Sequence, residues 1–345
     1  MKQIRAGSAL LLIACCCAAM LLAGCSAPSS EKSVLNVVPA GSLLGPFEVI
    51  EQEYEALHPD VDVRIEGHGS IQAIRQVTDL HRRVDVVAVA DESLIPEMMS
   101  LPVADGEGRY AEWYIPFAMN RMVIAYTNAS RYAGEITAEN WYDILARPGV
   151  RFGFSNPVLD AAGYRAQMVM MLAEEYYGLP GLYHATIADH LGNPVPVVRD
   201  GSVATALLPE FLEPEAEKIV IRDGSIFLLS LLDAGGIDYA FEYRSVARQH
   251  GLQWIDLPPE IDLGSPELAP RYATVAVRLS FQRFSSIGSL RTGRPIVYAI
   301  TIPTTAENPE GAADFINFTL ERFAGGRTSW PTPLSPEAVI AVPVA

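Results

Sequence analysis

Small and hydroxyl-bearing residues recur where apolar strands give way to helices. Ala40-Gly41-Ser42 follows Val34-Leu35-Asn36-Val37-Val38, and His68-Gly69-Ser70 follows Val61-Asp62-Val63-Arg64-Ile65. Asp160, with Ala161 and Ala162 behind it, follows Arg151-Phe152-Gly153-Phe154, and Ser225 follows Ile219-Val220-Ile221. The first N–H groups of a helix have no partner within it, and the helix dipole makes that end partially positive. Serine hydroxyls add further donors. Several such donors converging on one crevice can hold a small oxyanion without a Lys or Arg contact. Serine is also a preferred N-cap, so Ser42 and Ser70 are expected to cap their own helices. A plainer reading of the same turns is ordinary capped helices and nothing more.

The elements around these turns alternate between strand and helix. Leu43, Phe47, Ile50, Tyr54 and Leu57 recur at steps of three or four, as do Ile71, Ile74, Val77 and His81. Residues 84–90 read as a third, buried strand. Tyr114-Ile115-Pro116-Phe117 and Met122-Val123-Ile124-Ala125-Tyr126 are β-prone and mark the crossing into a second lobe. There, Arg165, Met168, Met171, Leu172 and Tyr176 continue the helix begun after Asp160, and residues 237–243 form another strand. Residues 179–218 resist assignment. Residues 272–279 and 295–303 are expected to rejoin the first lobe, followed by a helix over 309–323 and an irregular tail after Gly325. The alternation predicts an α/β fold with two mixed, mainly parallel sheets and the ligand between lobes. The boundaries are 34–120 for the first part of lobe 1, 121–271 for lobe 2, and 272–345 for the return and the tail.

The N-terminus has a separate role. Lys2 and Arg5 precede an uncharged apolar run, so residues 1–24 read as a secretory signal. Leu22-Ala23-Gly24-Cys25 resembles a lipobox, which makes Cys25 the acylated first residue of the mature chain and residues 25–33 its tether. That places the protein outside the cytoplasm, lipid-anchored to the outer face of the cytoplasmic membrane. All four cysteines, at 15, 16, 17 and 25, lie in this segment, so the mature domain has no disulfide and no thiol nucleophile. The formal charge of −16 argues against a nucleic-acid partner. The six histidines, at 58, 68, 81, 184, 190 and 250, have no close metal-ligand spacing. Neither a Gly-x-Ser-x-Gly elbow nor a His-Glu-x-x-His motif is present, which disfavours a secreted hydrolase.

Ala40-Gly41-Ser42, His68-Gly69-Ser70, residues 85–91, Tyr110-Ala111-Glu112-Trp113-Tyr114, Asn156-Pro157, Asp160, Gly163-Tyr164-Arg165 and Tyr243-Arg244-Ser245-Val246-Ala247 together resemble the archaeal-type tungstate/molybdate-binding proteins of the WtpA/ModA class. The likeness runs from about residue 34 to 320. It implies the two-lobed type II periplasmic-binding-protein fold and capture of tungstate or molybdate for an ABC permease and its ATPase. It also implies a monomer with no cofactor and no enzymatic activity. Gly41, Ser42 and Ser70 match first-lobe ligands. Asp160, the N–H groups of Ala161 and Ala162, Ser225 and Tyr243 match second-lobe positions. Asp160 also matches a carboxylate that can coordinate the tungsten or molybdenum centre directly. The second such carboxylate is replaced by Ser225, and strand alternation should turn the nearby Glu242 away from Tyr243. Arg165 is expected to orient Asp160 or another acid, and His68 to be structural. Sulfate or phosphate is the alternative ligand.

Overall fold

The structure, a computed structural model, describes residues 32–104, 106, 108–209, 211–280, 290–335 and 339–343. The signal segment, Cys25 and the tether up to residue 31 lie outside the described residues. Three sheets organise the rest.

The first sheet has seven strands. Ser33–Pro39 pairs in parallel with the edge strand Val61–Ile65 on one side and with Val86–Val89 on the other. Ile296–Thr301 runs antiparallel to Val86–Val89 and to Trp113–Asn120. Arg121 alone separates Trp113–Asn120 from Met122–Tyr126, which opens the second sheet. In that five-stranded sheet Tyr239–Tyr243 pairs in parallel with Phe152–Ser155, which pairs in parallel with Ile219–Arg222. Met122–Tyr126 and Gln253–Asp256 complete it antiparallel. In both larger sheets, parallel pairing is confined to the strands whose carboxyl ends carry the predicted turns and their neighbours. The sheets are therefore mixed, and less parallel than the strand–helix alternation suggested.

Two expectations are corrected here. Residues 272–279 do not rejoin the first sheet: Val275–Leu279 pairs in parallel with Val203–Leu208 in a separate four-stranded sheet. Val203–Leu208 alternates half-buried and buried residues while Val275–Leu279 is buried except at Arg278, patterns that fit either sheet and leave the partner undetermined. Nor is the tail irregular throughout. Thr332–Pro333 and Ile340–Ala341 both pair with Trp113–Asn120 and cover its outer edge.

Helices pack on the sheets through the faces that periodicity marked. Leu44–Leu57 buries Phe47, Ile50 and Tyr54, and Pro309–Ala324 buries Phe315, Ile316 and Phe323 against it. Phe47 meets Phe315 and Phe323 edge-on at 6.3 and 6.5 Å. The helix Ala161–Tyr176 is buried from Ala161 through Ala173, so its methionines are core.

Candidate functional site

Gly41, Ser42, Asp160, Ser225 and Tyr243 come together around one small cavity, closed over by Ile226 and Phe227. It has room for about one water molecule, about 10 Å³. Ser70, Ala161 and Ala162 are buried outside its lining. His68 lines it, accepts from Gly41 N–H through its carbonyl at 2.7 Å, and pairs its ring with Glu66 at 2.9 Å.

The serines are not caps. Ala40 and Gly69 stand at the N-cap positions, and neither Ser42 nor Ser70 bonds its own helix end. Each sits inside the first turn, and its hydroxyl bonds across the fold. Ser70 Oγ accepts the Ala90 N–H at 3.0 Å. Ser42 Oγ lies 2.9 Å from Tyr298 Oη, which accepts from Asn120 Nδ2 at 3.0 Å. Either hydroxyl can donate in that pair. Ser42 Oγ is the acceptor beside the phenol, so the arrangement that satisfies the Tyr298 proton has it donate to Ser42 and leaves the Ser42 proton to the cavity. Tyr243 is set the same way: its oxygen accepts from Arg165 Nη1 at 2.7 Å. Burial raises the Tyr243 phenol well above its usual pKa, so it keeps its proton.

Two carboxyl groups stand beside these donors. Asp160 bridges the two sheets' turns, accepting Ser225 N–H at 3.1 Å and Ser70 N–H at 3.4 Å. Burial raises its pKa, partly offset by the Ser155 hydroxyl and those N–H groups. Gly69 permits this approach: a Cβ there would lie 2.5 Å from Leu159 O and 2.8 Å from Asp160 Cβ. The carboxyl of Glu242, expected to point away from Tyr243, is buried outside the cavity lining but reaches two of the residues that form it. Its Oε1 accepts Ser225 Oγ–H at 2.9 Å and Tyr243 N–H at 2.7 Å. The side chain is long enough to curl around the strand end, where two donors converge. Burial pushes Glu242 up to about 8, with Asp160 adding to the effect. Oε2 has no hydrogen-bond partner among the described residues. The Ser225 hydroxyl is thereby committed to Glu242, and the Ser225 backbone N–H to Asp160.

Arg165 ties the two sheets together. Its guanidinium donates to Ala90 O at 2.8 Å and lies 3.3 Å from Asp91. Tyr164 Oη donates to the same carboxylate at 2.6 Å. Burial works against the charge on Asp91, but Arg165 and Arg291 outweigh it and hold the carboxyl below its ordinary value. The acid that Arg165 orients is thus Asp91, and it also sets the Tyr243 hydroxyl. Sequence reasoning missed Tyr298, Asn120 and Asp91 as parts of the site. Asn120 carried a signal, as an amide ending an apolar strand. Tyr298, inside Ile-Val-Tyr-Ala-Ile-Thr, carried none.

The family model of the bacterial extracellular solute-binding proteins matches residues 35–322, most of the chain. The chain belongs to this family. This solute-binding protein is 42% identical over 292 residues to an uncharacterized solute-binding protein of Methanoculleus marisnigri, covering 85% of this chain and 79% of that one. It is 40% identical over 312 residues to the molybdate/tungstate-binding protein WtpA of Thermococcus kodakarensis, covering 86% and 83%. The periplasmic molybdate-binding protein of Azotobacter vinelandii superposes with a TM-score of 0.53 at 16% identity, over 88% of this chain and all of that one. The likeness shows the fold, an α/β fold with mixed sheets arranged as in type II periplasmic-binding proteins. The family is one of solute-binding proteins, consistent with a non-catalytic role.

Proposed function

We propose that this solute-binding protein captures tungstate or molybdate between two lobes, built on the two larger sheets, and delivers it to an ABC permease and its ATPase. The observation that carries the reading is the preset of the cavity hydroxyls. Tyr243 accepts a hydrogen bond from Arg165 behind it, and Ser42 can accept one from Tyr298, an arrangement in which both protons face the cavity. A ligand there meets donors, which suits an oxyanion whose oxygens only accept. The 40% identity to a molybdate/tungstate-binding protein supports the choice of ion.

Asp160 refines that choice. Its oxygens hold the Ser70 and Ser225 N–H groups that an oxyanion would otherwise use. Sulfur in sulfate takes no further ligand, so the carboxylate would only repel it. A molybdenum or tungsten centre can accept the carboxylate oxygen as an added ligand. Phosphate is the second reading, because a protonated phosphate oxygen could donate to Asp160. Ser42 and Tyr243 are proposed to donate to the ion, with Gly41, whose N–H is held by the His68 carbonyl, Ser70, Ala161, Ala162 and Ser225 presenting the surrounding turns. Titration calorimetry with molybdate, tungstate, sulfate and phosphate tests the reading. Tight binding of the first two and none of sulfate is expected. Preference for phosphate would replace the reading, and binding of none would end it.

A further inference from the structure

Behind the Asn120 amide, on the side away from Ser42, lies a second cavity of about 150 Å³. Asn120, Arg121, Arg244, Ser245, Arg248 and Trp330 are among its lining residues. Arg121 is the single-residue link between the two larger sheets. Arg244 and Arg248 stand four apart on the helix Arg244–Gln249, hence on one face. Trp330 belongs to the C-terminal segment, to which Arg248 Nη1 donates through Thr328 O at 2.6 Å. The cavity is therefore walled by both sheets' elements.

Its charge is unbalanced. Arg121 lies 3.4 Å from Asp262, and Arg244 lies 2.9 Å from Asp256. Arg248 has only neutral partners among the described residues: the Thr328 carbonyl and the Trp254 ring, 5.7 Å from its guanidinium carbon. Three guanidinium groups thus face two carboxylates, in a chain whose net charge is −16. Ser245, buried, accepts from Asn120 Nδ2 at 2.8 Å, so its own proton is available to the cavity. The other hydrogen of that amide serves Tyr298, which in turn serves Ser42.

We propose that this cavity is a second anion site, taking a small tetrahedral oxyanion of the inorganic phosphate type, and that its occupancy strengthens binding at the first site. Guanidinium forks take the oxygens of such an ion two at a time, and Ser245 supplies a further donor. An anion held there touches elements of both sheets and favours the arrangement in which they meet. The site stands on its own geometry; the coupling rests on the oxyanion reading of the first cavity. Coupling of this kind is reciprocal.

The experiment is calorimetry of the mature chain, first loaded with one molybdate per chain so that the Ser42 cavity is filled without excess oxyanion to compete, then titrated with inorganic phosphate. One phosphate per chain is expected, lost in Arg248→Gln and in Arg121→Gln. Molybdate affinity measured without phosphate should be unchanged in Arg248→Gln and should rise about fivefold with phosphate in the wild type. Thermal melts check each variant, and Arg248→Gln decides if Arg121→Gln is destabilised by leaving Asp262 unpaired. Absence of phosphate binding to the loaded wild type overturns the site, as does phosphate binding undiminished in Arg248→Gln. Phosphate binding that leaves molybdate affinity unmoved overturns the coupling. A chain that ignores molybdate but binds phosphate through Arg248 sinks the first reading and keeps the second site.

Discussion

Ser42 and Ser70 look alike in sequence and are held differently. Ser42 lines the cavity with its proton free, so Ser42→Ala removes a charge-assisted hydrogen bond of about 1.5–3 kcal/mol. Molybdate affinity should fall by about 10- to 100-fold in calorimetry. Ser70→Ala instead strips the Ala90 N–H of its acceptor, which should cost about 1–3 kcal/mol of folding stability with a smaller effect on affinity. Equal effects of the two substitutions on affinity would contradict this division.

Glu242 is the residue with the clearest pH signature. Its carboxyl is pushed up to about 8 in the fold, against about 4.3 for an unperturbed glutamate. The neutral acid is the favoured form, so its contribution to stability is full below about pH 4.3 and is lost as pH rises toward 8. Glu242→Gln should therefore gain stability over the wild type as pH rises, with the denaturation midpoints compared at pH 5 and pH 9. Ionised Glu242 would also repel a dianion, so wild-type molybdate affinity should drop above pH 8 and that of Glu242→Gln should not. A wild-type affinity that is flat through this range would show that Glu242 does not face the ion.

At the scale of elements, two glycines allow close approaches of different kinds. Gly69 brings the helix Ser70–Thr78 of the first sheet against residues 158–160 of the second, where Gln72 N–H also donates to Leu159 O at 3.2 Å. A Cβ at Gly69 clashes across the cavity, and separation of the two sheets relieves it. Gly69→Ala should weaken molybdate binding about tenfold or more and leave ligand-free stability nearly intact. Gly163 presses the helix Ala161–Tyr176 onto its own preceding loop, where a Cβ would lie 2.1 Å from Ser155 O. No separation of sheets relieves that contact, so Gly163→Ala should lower stability by about 1–3 kcal/mol, ligand present or not. Thermal melts with and without molybdate distinguish the two.

Across the whole molecule, Arg165 is the buried charge joining the helix Ala161–Tyr176 of the second sheet to Asp91 beyond the first sheet's strand end. Arg165→Met would leave Asp91 buried without that partner, a loss of about 3–5 kcal/mol when one member of a buried pair is removed. Opening the two sheets to water lets Asp91 escape that cost, so the loss falls on closure. Affinity should drop more than about 100-fold, and small-angle scattering should show no compaction on adding molybdate. Anchoring is tested apart from the fold: Cys25→Ser should free the chain from the membrane fraction or leave its signal unprocessed, and unchanged mass and partition would rule out lipidation.

Local pattern determined much of this protein. Apolar spacing placed the helices Leu44–Leu57 and Pro309–Ala324, and strand alternation placed Ser33–Pro39 and Tyr239–Tyr243, because those signals depend only on neighbouring residues. The turns at Ser42, Ser70, Asp160 and Ser225 were legible for the same reason, and all but Ser70 share one cavity with Tyr243, which only the family resemblance had marked. Tertiary structure alone decided what each polar group bonds. Ser42 finds Tyr298 across 256 positions, and Ser245 finds Asn120 across 125. It also decided that Val275–Leu279 joins Val203–Leu208, and that Glu242 curls back to Ser225. Strand partners and buried hydrogen bonds are chosen by which groups are left unsatisfied when the sheets assemble, and that competition leaves no trace in local spacing.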